Sequence, residues 1–363
     1  MSNNLWSVFL GSGSYIPTRK IPNSDFLSHE FYDASGQRFK ESNEEILKKF
    51  EKITGIRERR YITDNLVTSD IAFMAARDAI ASAGIDKESL DCIIVAHNFG
   101  DVKADNKRSD FVPSLASRVK HQLGISNSAV CYDISFGCPG WLQAVIIADS
   151  FIKSGHIKRA LVIGAETLSR VSDPHDRDSM IYADGAGAVI MEAVANKNPV
   201  GIIGHSSRSD TLKEAHYLKM GKSYNPTYNG AELFLKMDGR KLYEYALHIV
   251  PAAIKDTIDK AGLSIDDVGK VLIHQANAKM DEAILKRLFQ LYEKKDIPKA
   301  IMPMIIYKFG NSSVATLPTL YNLLLAKQVD DQVECEACKT GDILVFASVG
   351  AGMNVNSIVY RIP

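Results

Sequence analysis

Ile134-Ser135-Phe136-Gly137-Cys138-Pro139-Gly140-Trp141, followed by the apolar run Leu142 to Ile152, decides how this chain folds. It reads as a strand end, a tight turn and a buried helix with Cys138 at its mouth. Pro139 stands at the first helical position and Gly155 at the helix stop, where each is favoured. Between them Leu142, Ala144, Val145, Ile146, Ile147, Ala148, Phe151 and Ile152 leave almost no polar face, the mark of a helix buried in a large core. Cys138 then lies at the positive end of a helix dipole, which lowers a thiol pKa and makes a nucleophile. The alternative is an inert core cysteine, since free Cys is among the most buried residue types. This stretch alone supports both.

On either side of it, short apolar runs alternate with amphipathic ones. Val8-Phe9-Leu10 reads as a first strand that ends at Gly11-Ser12-Gly13. Residues 29–50 are polar, then helical in period at Ile46, Leu47, Phe50 and Ile53. Ile71, Ala75, Ala76, Ala79, Ile80 and Ala83 predict an amphipathic helix stopped by Gly84. Cys92 to Ala96 fits a buried parallel strand. Residues 100–110 read as a charged, exposed loop. A helix over Leu115 to Leu123 and a strand over Ala129 to Ile134 follow. Beyond the central helix, Arg159 to Ala165 and Tyr182 to Glu192 read as further strands, the latter opened by Asp184-Gly185-Ala186-Gly187.

The second half repeats this order. Aligning Gly84 with Gly262, an offset of 178, places Ala75 on Ala253, Ile80 on Ile258 and Ala83 on Ala261. At the same offset Ile93-Ile94-Val95 falls on Val271-Leu272-Ile273. An offset of 173 places Phe136-Gly137-Cys138 on Phe309-Gly310-Asn311, each ahead of an apolar helix. The chain therefore reads as an α/β duplication, with residues 1–198 and 199–363 packed about a pseudo-twofold axis. Cys138 and Asn311 occupy equivalent helix mouths. His274 follows a repeated strand at its carboxyl end, where open parallel sheets place ligands. A thiolate accepts an acyl group, and a neutral His and an Asn amide can donate to a carbonyl oxygen that gains charge.

Bulk properties exclude several classes. The chain has 363 residues, 46% hydrophobic and 24% charged, an ordinary globular balance. Its formal net charge is +0, so no global field draws nucleic acid or an anionic membrane. The N-terminus does not read as a signal peptide and no stretch is apolar enough to span a bilayer. Five cysteines, an odd number, point to a reducing cytoplasm. Cys335 and Cys338 form one C-x-x-C, but a zinc site needs four ligands and no second pair accompanies it. No metal is expected.

The chain resembles the thiolase-fold condensing enzymes, and most closely the β-ketoacyl–acyl carrier protein synthase III family. The resemblance rests on Thr54-Gly55-Ile56-Arg57-Glu58-Arg59, Gly137-Cys138-x-Gly140, Ala148-Asp149 through Gly155, Asp173-Pro174-x-Asp176-Arg177, Asp184 to Ala188, His274-Gln275-Ala276-Asn277 and Phe309-Gly310-Asn311-Ser312-Ser313. It implies a five-layered fold, with Cys138 as acylated nucleophile and His274 and Asn311 serving malonyl decarboxylation. The backbone N–H groups of Cys138 and Ala351 would form an oxyanion hole, Ala351 standing where glycine is usual. Acyl-CoA and the phosphopantetheine thioesters of acyl carrier protein would be substrates, with no permanently bound cofactor. Arg57 and Arg177 match cofactor-binding positions. Lys279, Lys286 and Arg287 share one helix face by spacing, and the resemblance makes that face a docking site for the carrier. It also implies a homodimer in which Phe111 and Val112 reach the partner's acyl pocket.

Within this fold, thiolases carry a second catalytic cysteine, absent here, and elongating synthases carry a second histidine where Asn311 stands. The order Cys, His, Asn also suits a papain-like cysteine hydrolase, but its sequence context around the cysteine is absent. Some members that have lost the cysteine are not enzymes; the intact Cys138, His274 and Asn311 argue against that class. The departures from the family lie on the primer side. No tryptophan precedes Thr54-Gly55-Ile56-Arg57, Ile53 replaces an arginine, and segments 29–50 and 100–110 are extended. They leave open a specialised synthase joining longer acyl or β-ketoacyl thioesters, as in dialkylresorcinol or aryl-polyene pathways.

Overall fold

A computed structural model describes residues 4–329 and 338–363. Cys335 lies outside the described residues; Cys338 is half-buried. The first sheet has the order β1 (Asn4–Tyr15), β9 (Asp184–Asn196), β8 (Arg159–Thr167), β4 (Cys92–Ala96), β7 (Val130–Ile134). The second has the order β10 (Gly201–Ser209), β15 (Asn354–Arg361), β14 (Ile343–Gly350), β13 (Val268–Ile273). Three hairpin-like pairs decorate them: β2 (Arg19–Pro22) with β3 (Glu58–Tyr61), β5 (Asp101–Val102) with β6 (Ser109–Asp110), and β11 (Leu218–Gly221) with β12 (Phe234–Met237). The helices are α1 (Asn43–Thr54), α2 (Thr68–Ala83), α3 (Leu115–Leu123), α4 (Gly140–Lys153), α5 (Gly239–Lys260), α6 (Ala278–Leu291), α7 (Ile306–Phe309) and α8 (Thr316–Leu325).

Helices α2 and α3 cover the outer face of the first sheet, and α5 and α6 that of the second. Helices α4 and α8 lie between the sheets, so each must be apolar nearly all round. The result is the five-layered arrangement of the thiolase-like fold. Its centre is an aromatic knot. Phe9 stacks on Tyr360 at 4.5 Å and meets Trp141, Tyr321 and Phe346 edge-on or tilted. The Tyr360 hydroxyl, buried there, accepts from the Phe9 N–H at 2.9 Å. No helix of the described residues is long and apolar enough to cross a membrane.

The internal repeat is visible in the strand pairing. β4 runs parallel to β8, then β9 and β1 follow antiparallel. β13, β14, β15 and β10 repeat that sequence of directions. Both outer ladders carry a register shift at the same place, between Phe9 and Gly11 and between Ile202 and Gly204. Among the described residues the first half has a fifth strand, β7, and the second half has four. On the corresponding edge of β13 the segment before α7 makes one backbone bond, Val271 N–H to Ile301 at 2.7 Å.

Three expectations are corrected. β1 runs on through Gly11-Ser12-Gly13, because those glycines let α2 sit on the strand. A Cβ on Gly11 would lie 2.4 Å from Ala83 N, and one on Gly13 2.4 Å from Ala75 O. The segment 100–110 is not simply exposed: Asp101 and Val102 are buried. Asp101 accepts from Ser69 N–H at 2.7 Å and pairs with Arg118 at 2.6 Å. Ile53 leaves the apolar face of α1 and is 52% exposed.

Candidate active site

Two equivalent turns deliver the two halves' side chains. In the first, β7 ends at Ile134 and Gly137 takes φ 67°, a left-handed conformation that favours glycine. In the second, α7 ends at Gly310 with φ 65°, just before Asn311. Asn311 is fastened by its backbone, donating to Ile181 O at 2.9 Å and accepting from Ala183 N–H at 2.8 Å. Buried Arg59 holds that 180–183 segment from behind. Its guanidinium donates to Met180 O, Ile21 O and Asn23 Oδ1 at 3.0, 3.0 and 2.7 Å.

The structure brings Cys138, His274 and Asn311 to one cavity of about 1020 Å³, together with Gly137, Asn277 and Ala351. Its walls are largely apolar: Ile46, Phe50, Phe99, Leu168, Met180, Met220, Leu235 and Met237. Among the described residues the N–H groups of Cys138 and Ala351 donate to no main-chain carbonyl. They are brought together by main-chain contact. A Cβ on Gly137 would stand 2.7 Å from Ala351 N, and one on Gly350 2.5 Å from Cys138 N. Ala351 has negative φ, so its side chain costs no strain there.

Each reactive side chain has a definable state. Cys138 Sγ accepts from Ser313 Oγ at 3.3 Å. Burial pushes the thiol up to about 11, against the Ser313 hydrogen bond and with Glu166 adding to the rise. Burial thus opposes the lowering that the helix dipole would give. His274 is buried and donates its backbone N–H to Ala347 O at 2.8 Å. Burial lowers its pKa to about 4, so the ring is neutral at pH 7. Nδ1 is buried with no partner among the described residues. Asn311 Oδ1 accepts from Ser313 N–H at 2.8 Å. That assigns the amide orientation and leaves Nδ2 to donate into the cavity.

Other expected residues fall elsewhere. Arg177 is at the cavity mouth, its guanidinium 4.5 Å above the Phe39 ring. Arg57 does not line the cavity; it lies 5.8 Å from the Tyr307 ring centroid. Lys279, Lys286 and Arg287 are exposed on α6, outside the cavity. Phe111 and Val112 are 48% and 84% exposed, and within one chain neither reaches the cavity. Asn277 caps α6, accepting from Met280 N–H at 3.1 Å.

The 3-oxoacyl-[acyl-carrier-protein] synthase III family matches residues 132–211, and the C-terminal domain of that family matches 258–362. A β-ketoacyl-[acyl-carrier-protein] synthase III of Ehrlichia canis is 33% identical over 359 residues, 98% of this chain and 99% of that protein. The chain belongs to the 3-oxoacyl-[acyl-carrier-protein] synthase III family. The solved synthase III structure from Aquifex aeolicus matches with a TM-score of 0.77 at 28% identity, covering 98% of this chain and 99% of that one. That from Pseudomonas aeruginosa gives 0.80 at 25%, covering 99% and 98%. Synthase III membership removes the papain-like alternative.

In this synthase III chain, three residues beside the cysteine were missed as site residues. Asn98 accepts from Gly137 N–H at 2.9 Å and donates to Glu166 at 2.7 Å. Fully buried Glu166 has its carboxyl pushed up to about 7 by burial. Ser313 sits at φ 51°, strained for a non-glycine residue. Asn98 follows β4 at its carboxyl end, the rule that singled out His274, so it was findable. Gln275 is the fourth. Its buried amide donates to Pro303 O at 2.8 Å and accepts from the N–H groups of Ile305 and Ile306 at 2.8 and 3.0 Å. It ties the His274 turn to the segment that leads to Asn311.

Proposed function

We propose that this chain is a β-ketoacyl-acyl carrier protein synthase III-like condensing enzyme of fatty acid biosynthesis. Residues 1–198 supply the nucleophile and 199–363 the His and Asn. Cys138 Sγ attacks the carbonyl of an acyl thioester primer, carried on CoA or on carrier protein, and the carrier thiol leaves. The N–H groups of Cys138 and Ala351 stabilise the tetrahedral oxyanion. Malonyl-carrier then binds, and neutral His274 and Asn311 Nδ2 donate to its thioester carbonyl as CO₂ departs. The carbanion attacks acyl-Cys138, a C–C bond forms and the thiol is released. The observation that carries this reading is the convergence of Cys138, His274 and Asn311 on one apolar cavity in a synthase III chain. Its test is intact mass of the Cys138 peptide after acyl thioester treatment, followed by turnover with malonyl-carrier. No acyl adduct would end the proposal.

A histidine held neutral gives a pH signature. Protonation occurs only as pH falls through about 4, so above that the ring stays neutral, with one N–H donor and no change of charge. Malonyl decarboxylation should therefore show no inflection between about pH 6 and 8, where an ordinary histidine titrates. An inflection near the ordinary value that disappears in His274→Ala would contradict it.

The α6 face suits an acidic carrier. Among the described residues Lys279, Lys286 and Arg287 have no carboxylate partner; Arg287 meets only His248 Nδ1, at 3.4 Å. Reversing all three charges should raise KM for malonyl-carrier by about tenfold or more, while a small malonyl thioester is spared. Equal damage to both substrates would make the face structural.

A homodimer is proposed from the open edge of the first sheet. None of the five β7 residues is buried, and Val130 is 61% exposed. Pairing of β7 with its copy would cover the edge by the commonest symmetry. Val112 would then reach the partner's pocket, and Val112→Phe should shorten the accepted acyl chain. Sedimentation as a fully active monomer at micromolar concentration would rule this out. The size of the apolar cavity favours, as a second reading, the specialised synthase for longer acyl chains. An acyl panel separates the two: turnover with long chains and none with acetyl would select it.

A further inference from the structure

Strand register brings two polar side chains together beside the nucleophile. Ala96 of β4 is paired with Gly164 of β8 on one side and with Ile134 of β7 on the other. Two residues beyond these stand Asn98, Glu166 and Phe136, with Gly137 next. The turn 313–315 is let onto the same spot by Gly164, where a Cβ would lie 2.3 Å from Val314 O. Asn98 is the junction. Its Oδ1 accepts from Gly137 N–H at 2.9 Å, and its Nδ2 donates to Glu166 Oε2 at 2.7 Å and to Ser313 Oγ at 3.4 Å. Buried Glu166 also accepts from the Asn98 backbone N–H at 3.4 Å, so its carboxyl holds both the main chain and the side chain of Asn98. Ser313 Oγ in turn donates to Cys138 Sγ at 3.3 Å, while the Ser313 N–H is committed to Asn311 Oδ1 at 2.8 Å. A left-handed φ of 51° at a serine persists only where its surroundings fix it, and these bonds do so.

Both polar ends of the Asn98 amide are occupied, so Asn98 acts through its partners. The Gly137 bond fixes the turn that presents the Cys138 N–H. A hydroxyl that already accepts a hydrogen bond keeps its own proton for the sulfur, and a donor on the sulfur favours the thiolate against the burial that opposes it. We propose that Asn98, held by Glu166, is a positioning residue for acylation: it fixes the Cys138 turn and aims the Ser313 hydroxyl at Sγ. In that step the bond from Sγ to the acyl carbon forms, the C–S bond to the carrier breaks, and the Cys138 proton ends on the carrier thiol. Ser313 keeps its proton throughout. Glu166 serves as an acceptor, since a negative charge beside the sulfur would work against the thiolate. Malonyl decarboxylation does not use Sγ and is independent of this chain of bonds. The proposal rests on the condensing-enzyme reading and names the groups that prepare its nucleophile.

The test follows three rates in each variant: acylation of Cys138 by intact mass, alkylation of Cys138 by iodoacetamide at about pH 8, and CO₂ release from malonyl-carrier. Asn98→Ala and Ser313→Ala should each lower acylation at least about tenfold and alkylation at least about threefold, with CO₂ release within about twofold of the parent chain. The double variant should acylate no more than about threefold slower than Asn98→Ala, because both changes break one chain of bonds. Glu166→Gln keeps the acceptor and should acylate within about threefold of the parent chain. A smaller loss of acylation in either alanine variant, unchanged alkylation, or CO₂ release that falls in step with acylation overturns the inference and leaves the condensing reading intact. So does a double variant whose single losses multiply, or a larger loss in Glu166→Gln. No acyl adduct on the parent chain overturns both.

Discussion

Cys138→Ala is expected to abolish the acyl adduct and to lower condensation by at least about 10⁴-fold. No other described cysteine can substitute. Cys92 is buried in β4, and neither Cys131 nor Cys338 lines the cavity. Burial pushes the Cys92 thiol up to about 11 and raises that of Cys131 as well. Malonyl decarboxylation should persist in the variant, because the donors of His274 and Asn311 do not need the thiol. The pair of readouts, adduct mass and CO₂ release, separates loss of the nucleophile from loss of the fold. Full condensation by Cys138→Ala would sink the assignment.

Removing one polarising donor, by His274→Ala or Asn311→Ala, should cost about 10²–10³ in condensation, by analogy with oxyanion donors. Acylation of Cys138 should survive both changes. Asn311 permits a finer cut. Asn311→Asp keeps an oxygen for the Ser313 N–H but replaces the Nδ2 donor with an acceptor facing a developing negative charge. It should lose at least as much as the alanine variant. The double variant His274→Ala with Asn311→Ala should fall short of the product of the single losses, since both donors serve one oxygen. Near-normal condensation by either alanine variant would remove that residue from the mechanism.

The duplication was legible because strands buried on both faces are short apolar runs. β4 and β13 therefore aligned without a gap. Its extent was not legible. The matching ladder shifts at Gly11 and Gly204 pack against Ala83 and Ala261, residues that the alignment had already paired. A glycine that admits a neighbouring helix looks, in sequence, like one that ends a strand. The candidate site was legible as three side chains and a helix mouth. What surrounds them was not, because Asn98, Glu166 and Gln275 act through tertiary hydrogen bonds that have no periodic signal. The burial that opposes the dipole at Cys138 was not legible for a related reason. The dipole is a property of one helix and can be read locally, whereas the burial that opposes it comes from the whole cavity wall.

Gly137 and Gly350 place main chain directly against main chain where the two halves meet. Gly164 and Gly187 likewise meet the main chain of Val314 and Thr319, but much of the contact between the sheets is a layer of rotatable side chains that acts as a cushion, able to absorb a shift by repacking. At this junction there is no cushion. The spacing of the Cys138 and Ala351 amides is set by hard contact, and a displacement of one half is transmitted to the other undamped. Drift in the surrounding core can accumulate with little effect on that spacing, whereas a single added methyl at either glycine would wedge the amides apart.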